Sequence, residues 1–313
     1  VKGGYLQKLD DFSATHCVNE HFLEKLKILN GTYVLPLSVN YRGIFYNKRM
    51  LEKDGYQIPS TYAELIHTMQ QIKKAGKLPI VFADKDSWTL HQGWDAIDMS
   101  SRGSQDNLFQ NVLNGTTVLY EDPIALDSTR KFLEIRQYGQ KQTINTGYDE
   151  AVKKFAKGEA YMFLQGNWAY PIIKKINPYM DLLFMPFPTY KENQARVVAK
   201  IDATLGVSAF CKHPEAAEKF LDYVFSKNVS EYYANQAGAY SCIKSVDVAD
   251  NYAKVFTDSI SSGEFFLGEF AYESEKSNAR DALFQNLTSS PQTYTERAFL
   301  KEWNDLLILQ KGA

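Results

Sequence analysis

The sequence predicts an α/β protein, because helical patterns alternate with short apolar runs that read as buried strands. Pro59 to Gly76 is the first such pairing. Thr61 and Glu64 have the spacing of a capping box, Leu65, Met69 and Ile72 share one helical face, and Gly76 stops the pattern. "LPIVF" (Leu78 to Phe82) follows at once, short and partly β-branched, as expected of a strand covered on both faces. The second pairing runs from Asp149 to Lys157, with Val152, Phe155 and Ala156 inward, through Gly158 into the strand "AYMFL". "DLLFMPFP" and "VVAKIDATLGVSAF" read as strand-rich, and the latter leads to a helix opening at Pro214. In that helix Ala217, Phe220, Leu221, Val224 and Phe225 form an apolar stripe. Thr295 to Gln310 places Phe299, Leu300, Trp303 and Leu307 on another, which marks Trp303 as core.

The 313 residues suffice for one large or two ordinary domains, and a 44% hydrophobic content supplies a sizeable core. Lys and Arg number 35 against 37 Asp and Glu, with no long basic block, so nucleic acid is not an expected partner. Cys17, Cys211 and Cys242 are odd in number and far apart, which fits neither a disulfide framework nor a zinc knuckle. No apolar run is long enough to span a bilayer, and no signal segment opens at Val1, so any targeting peptide is expected to have been removed or to lie upstream. Phosphate-loop, dinucleotide and nucleophile-elbow signatures are absent. "HCVNEH" (His16 to His21) gathers metal-ligand types at poor spacing and reads as an amphipathic helix with His16 and Glu20 on one face. Tyr232 and Tyr233 read as helix packing. No cofactor or metal is expected.

Aromatic residues beside small polar ones after strands carry the chemistry. "KDSWTLHQGWD" sets Trp88 and Trp94 in a loop on either side of His91 and Gln92, just past "LPIVF". "FLQGNWAY" sets Asn167 and Trp168 in the same place after the second strand. Ligands of α/β sheets gather beyond strand carboxyl ends. A sugar offers a weakly polar C–H face and an edge of hydroxyls, so its site needs flat rings plus amide or carboxylate groups. These segments hold both.

Four stretches in order, "LPLSVNYRGIFYNKRMLEKDGYQIPSTYAEL", "KLPIVFADKDSW", "FAKGEAYMFLQGNWAY" and "GVSAFCKHPEAAEKFLDYVFS", resemble the family 1 extracellular solute-binding proteins of bacterial ABC importers, mostly carbohydrate receptors. The resemblance implies a two-lobe periplasmic-binding-protein-like fold of type II, non-catalytic, with ligand in an interlobe cleft and hinge closure upon it. It implies a first lobe of 1–40 and 207–258, a second of 43–203 and 259–313, and crossings near 39–42, 202–206 and 258–262. By position, Asn40 and Asp202 would bind hydroxyls, Trp168 and Trp88 would stack, and Tyr240 in "QAGAYSC" would join them. The implied partners are a carbohydrate and membrane permease subunits, for a monomer lipid-anchored outside the cell or held in a periplasm. Members usually carry further strands and helices before the segment that resembles "GGYLQKLDDF", so the first lobe is expected to be incomplete at its N-terminus. Two rivals make different demands. A glycan-acting enzyme needs facing carboxylates about 5–10 Å apart, and a receptor for a polyamine, rather than a peptide or metal chelate, needs several carboxylates.

Overall fold

The computed structural model describes every residue except 2, 103–105, 107, 193, 247–250, 263–264, 268–273, 291–293 and 310–313. Gln310, the last residue of the expected C-terminal helix, thus lies outside the described residues. In chain order the strands are β1 (Val34–Pro36), β2 (Ser38–Asn47), β3 (Leu78–Val81), β4 (Ala160–Gly166), β5 (Leu182–Met185), β6 (Val197–Ile201), β7 (Thr204–Gly206), β8 (Tyr240–Ser241) and β9 (Phe265–Leu267). The α-helices are α1 (Ser13–Cys17), α2 (Glu20–Lys25), α3 (Lys48–Lys53), α4 (Tyr62–Lys74), α5 (Ser87–Ser100), α6 (Leu108–Leu113), α7 (Pro123–Arg136), α8 (Tyr148–Ala156), α9 (Tyr170–Ile176), α10 (Pro214–Val224), α11 (Lys227–Ala237), α12 (Lys254–Ser262), α13 (Ser274–Ser289) and α14 (Glu296–Leu309). They form two compact units, Val1–Tyr41 with Ala199–Gly263, and Arg42–Val198 with Glu264–Ala313.

In the first unit β1 pairs antiparallel with β7, Val34 opposite Gly206, and β8 pairs antiparallel with β2, Val39 opposite Tyr240. The Leu37 amide donates to the Ala203 carbonyl and the Asp202 amide to the Ser38 carbonyl. These bonds tie residues 202–206 to 34–38. Residues 199–203 and 259–262, expected in the second lobe, belong to the first unit. Tyr41 stacks on Phe256 at 4.6 Å between ring centroids, and its hydroxyl shares a 2.9 Å hydrogen bond with that of Tyr252.

Three expectations change in this unit. "HCVNEH" is not one helix: Val18 is extended and Asn19 caps a new helix by accepting from the His21 amide, so His16 and Glu20 share no helical face. The α10 stripe is only half covered, since Leu221 and Phe225 are buried while Phe220 is 57% exposed. Tyr232 is 68% exposed and does not pack as expected.

The second unit is built on a mixed sheet. β3 and β4 are parallel, and β4 and β5 both pair antiparallel with β2. α4 enters as its sequence dictates. Thr61 accepts from the Glu64 amide, Glu64 accepts in return from the Thr61 amide, and Leu65, Met69 and Ile72 are fully buried. Gly76, at φ +74°, takes the left-handed turn that lets the chain reverse into β3. Behind the sheet, Trp94 of α5 meets Trp303 of α14 edge to face at 4.8 Å, and Phe284 of α13 packs on both. Arg102 is buried between Asp98 and Asp122, with N···O distances of 2.9 and 2.7 Å, and fixes the end of α5. Burial raises the Asp98 carboxyl to about 6, against the pull of Arg102.

Thr61→Ala removes half of the capping box and should lower second-unit stability by about 1 kcal/mol. A urea titration should show an earlier midpoint at unchanged slope.

Candidate functional site

The site follows from one pairing. Because β3 and β4 run parallel, with Ile80 opposite Met162 and Val81 opposite Phe163, their carboxyl ends lie at the same edge of the sheet. From that edge β3 leads through Asp86 into α5, whose first turn carries Trp88, and β4 ends at Gly166 just before Asn167 and Trp168. The two indoles converge, 6.0 Å between ring centroids and inclined at 54°. Tyr148, the first residue of α8, adds a third ring 5.2 Å from Trp88 at 55°. Sequence reasoning missed Tyr148. It begins a helix rather than following a strand, and only the fold brings it to the tryptophans.

Gly166 is required by the ring beside it. A Cβ placed there would lie 2.0–2.5 Å from three atoms of the six-membered ring of Trp168, so the indole lies against bare backbone. Trp88, Tyr148 and Trp168 are each half-buried, and so keep exposed area while their inner edges are covered. Among the described residues, Trp168 Nε1, Tyr148 Oη and Gln165 Nε2 are buried atoms that make no hydrogen bond to the protein. Burial, with the charge of Asp149, pushes the Tyr148 phenol up, so it stays protonated as a donor. Gln165 and Leu164 share a small hollow with Arg42, Gln92, Gly93 and Ala96. There the Arg42 Nε donates to Gln92 at 3.2 Å, and a guanidinium nitrogen lies 3.4 Å from Asp95. Asn167 is fully buried, with hydrogen-bonding or other contacts of its own.

Trp94 must be removed from the candidate site. The segment expected to be a loop is helix α5, and six residues at about 100° each set Trp94 and Trp88 roughly 120° apart around it. Trp94 is 0% exposed, with Nε1 donating to Thr129 Oγ1 at 3.0 Å, and is core. His91 turns to α13, where its Nδ1 lies 3.1 Å from both Asp281 and Arg280, and burial holds its pKa below the usual value.

The three candidates of the first unit meet along one strand. Asn40 is half-buried in β2, Tyr240 stands opposite its neighbour Val39, and the Asp202 amide is bound to Ser38 while the residue as a whole is exposed. The Tyr240 ring lies 6.3 Å from Phe22. Among the described residues, no group of three or more His, Cys, Asp or Glu is placed to hold a metal. No helix there is long and apolar enough to cross a membrane.

Gly166→Ala should displace the Trp168 ring. The expected result is tryptophan emission at longer wavelength with an unchanged far-ultraviolet dichroism spectrum; unchanged emission would show that the ring does not depend on the bare backbone.

The sequence profile of the bacterial extracellular solute-binding proteins matches residues 1–231. The chain is 26% identical over 250 residues to the multiple sugar-binding protein of Streptococcus mutans, covering 78% of this chain and 59% of that protein. It is 22% identical over 192 residues to the melibiose/raffinose/stachyose-binding protein of Bacillus subtilis, covering 59% of this chain and 45% of that protein. The chain thus spans less than two thirds of the length of these curated relatives. Among solved structures, RafE in complex with raffinose superposes with a TM-score of 0.84 at 22% identity, covering 99% of this chain and 81% of that one. A sugar transporter protein of Bacillus licheniformis in complex with stachyose does so at 0.77 and 20% identity, covering 98% and 80%. A two-lobe α/β fold is shared with these structures, and by its sequence the chain belongs to the bacterial extracellular solute-binding protein family.

Proposed function

We propose that this protein is the receptor of a carbohydrate importer of the ABC type and that the aromatic edge of the second unit holds the sugar. The observation that carries the reading is the convergence of Trp88 and Trp168, half-exposed, where two parallel strands end. Indole faces match the C–H face of a pyranose, and the hydroxyl rim needs polar side chains nearby. Asn167 and Gln165 flank the rings in sequence, and Asn40, Asp202 and Tyr240 are the polar candidates of the first unit. The first ligands to consider are raffinose and stachyose, for which relatives are named or with which they are complexed. A polyamine has less support, since Asp86 is bound by the Tyr148 amide and Asp95 by Arg42.

The cargo would pass to permease subunits in the membrane, from a receptor acting outside the cell as a monomer, lipid-anchored or free in a periplasm. For binding to signal anything, the sugar must favour one arrangement of the receptor over another, since a ligand with equal affinity for both shifts neither.

Two measurements test the proposal. A thermal-shift series of mono- and oligosaccharides should raise the melting temperature, because a ligand at 100 times its Kd adds about 2.7 kcal/mol of stability. In calorimetry Trp168→Ala should weaken sugar binding about 100-fold, in the range of a lost hot spot, with the fold intact. No shift with any sugar, or unchanged affinity in the mutant, contradicts the assignment.

A further inference from the structure

Gly147 occupies the N-cap position of α8 and, being glycine, has no side chain with which to cap it. The first amides of a helix have no partner within the helix, and a negative charge is favoured beside them. The missing group comes from another element. Asp86 stands at the N-cap of α5, yet its side chain makes no capping bond to its own helix. Its carboxylate instead accepts from the Tyr148 amide at 2.6 Å, while the Lys85 amide donates to the Thr146 carbonyl at 3.1 Å. Approach is close enough that a Cβ on Gly147 would lie 3.3 Å from the Asp86 carboxylate. One side chain therefore caps α8 in trans and ties its first turn to the first turn of α5. The former carries Tyr148 and the latter Trp88.

We infer that Tyr148 is a third ring of the sugar site and that Asp86 is the positioning residue that sets it against Trp88. The inference rests on the sugar reading for Tyr148's contact with ligand, while the positioning role stands on geometry alone. Asp86 itself touches no ligand. With its carboxylate removed, the α8 amide loses its acceptor and the two helix starts are free to separate, opening the 5.2 Å ring pair. An asparagine retains an acceptor oxygen, so it should preserve the arrangement.

The experiment uses the full-length protein carrying 5-fluorotryptophan, with the Trp88 ¹⁹F resonance assigned by Trp88→Phe. Asp86→Ala should move that resonance, and Asp86→Asn should leave it near its native position. Unmoved resonance in Asp86→Ala overturns the positioning role, whatever the ligand. Calorimetry with raffinose, stachyose and the strongest sugar of the thermal-shift series supplies the second arm. Tyr148→Ala and Asp86→Ala should each weaken binding about tenfold, and Asp86→Asn by no more than about threefold. Ile72→Ala, a buried change on α4, serves as the control for lost stability and should leave affinity unchanged at a temperature where all variants are folded. If Trp168→Ala abolishes binding while Tyr148→Ala does not weaken it, Tyr148 is no part of the site. If Trp168→Ala also binds normally, the sugar site itself is misplaced and the third ring falls with it.

Discussion

Parallel pairing of β3 with β4 is the constraint on which the site depends. An antiparallel pair would send its carboxyl ends to opposite edges and leave Trp88 and Trp168 a strand length apart. Parallel strands need a long crossover, and here the chain between Val81 and Ala160 includes α5 through α8. That crossover supplies Trp88 at its beginning and Tyr148 near its end. The same detour that makes the pairing possible thus furnishes two of the three rings, and Trp168 follows directly after β4.

Smaller devices then fix each ring. Gly166 lets an indole lie on backbone where any side chain would exclude it. Asp86 joins two helix starts through one carboxylate. Behind them α5 is locked by Trp94 on Trp303 and by Arg102 between two carboxylates, so its exposed end is carried on a buried, rigid body. A candidate site held this way would lose less conformational freedom on binding than one built on a loose loop.

Local rules made much of this legible in the sequence. Thr61 and Glu64 form the capping box that their spacing predicts, Gly76 turns the chain as expected, and both strands leading to the site lie where their apolar runs put them. Trp168 and Trp88 are legible as candidates because each follows such a strand closely. Trp94 leaves the candidate site because the segment that its place after a strand suggests to be a loop is a helix, whose period carries the second indole to the core. Phe220 was misread because periodicity identifies an apolar face but says nothing about what covers it. Tyr148 and the Asp86 bridge were out of reach. Both depend on two segments some 60 positions apart being brought together, which no local pattern encodes.

The most direct test is a crystal structure of the full-length protein with a bound oligosaccharide. This account predicts a pyranose with its C–H face in van der Waals contact with the indoles of Trp88 and Trp168. A sugar bound elsewhere, with neither indole touching it, would contradict it.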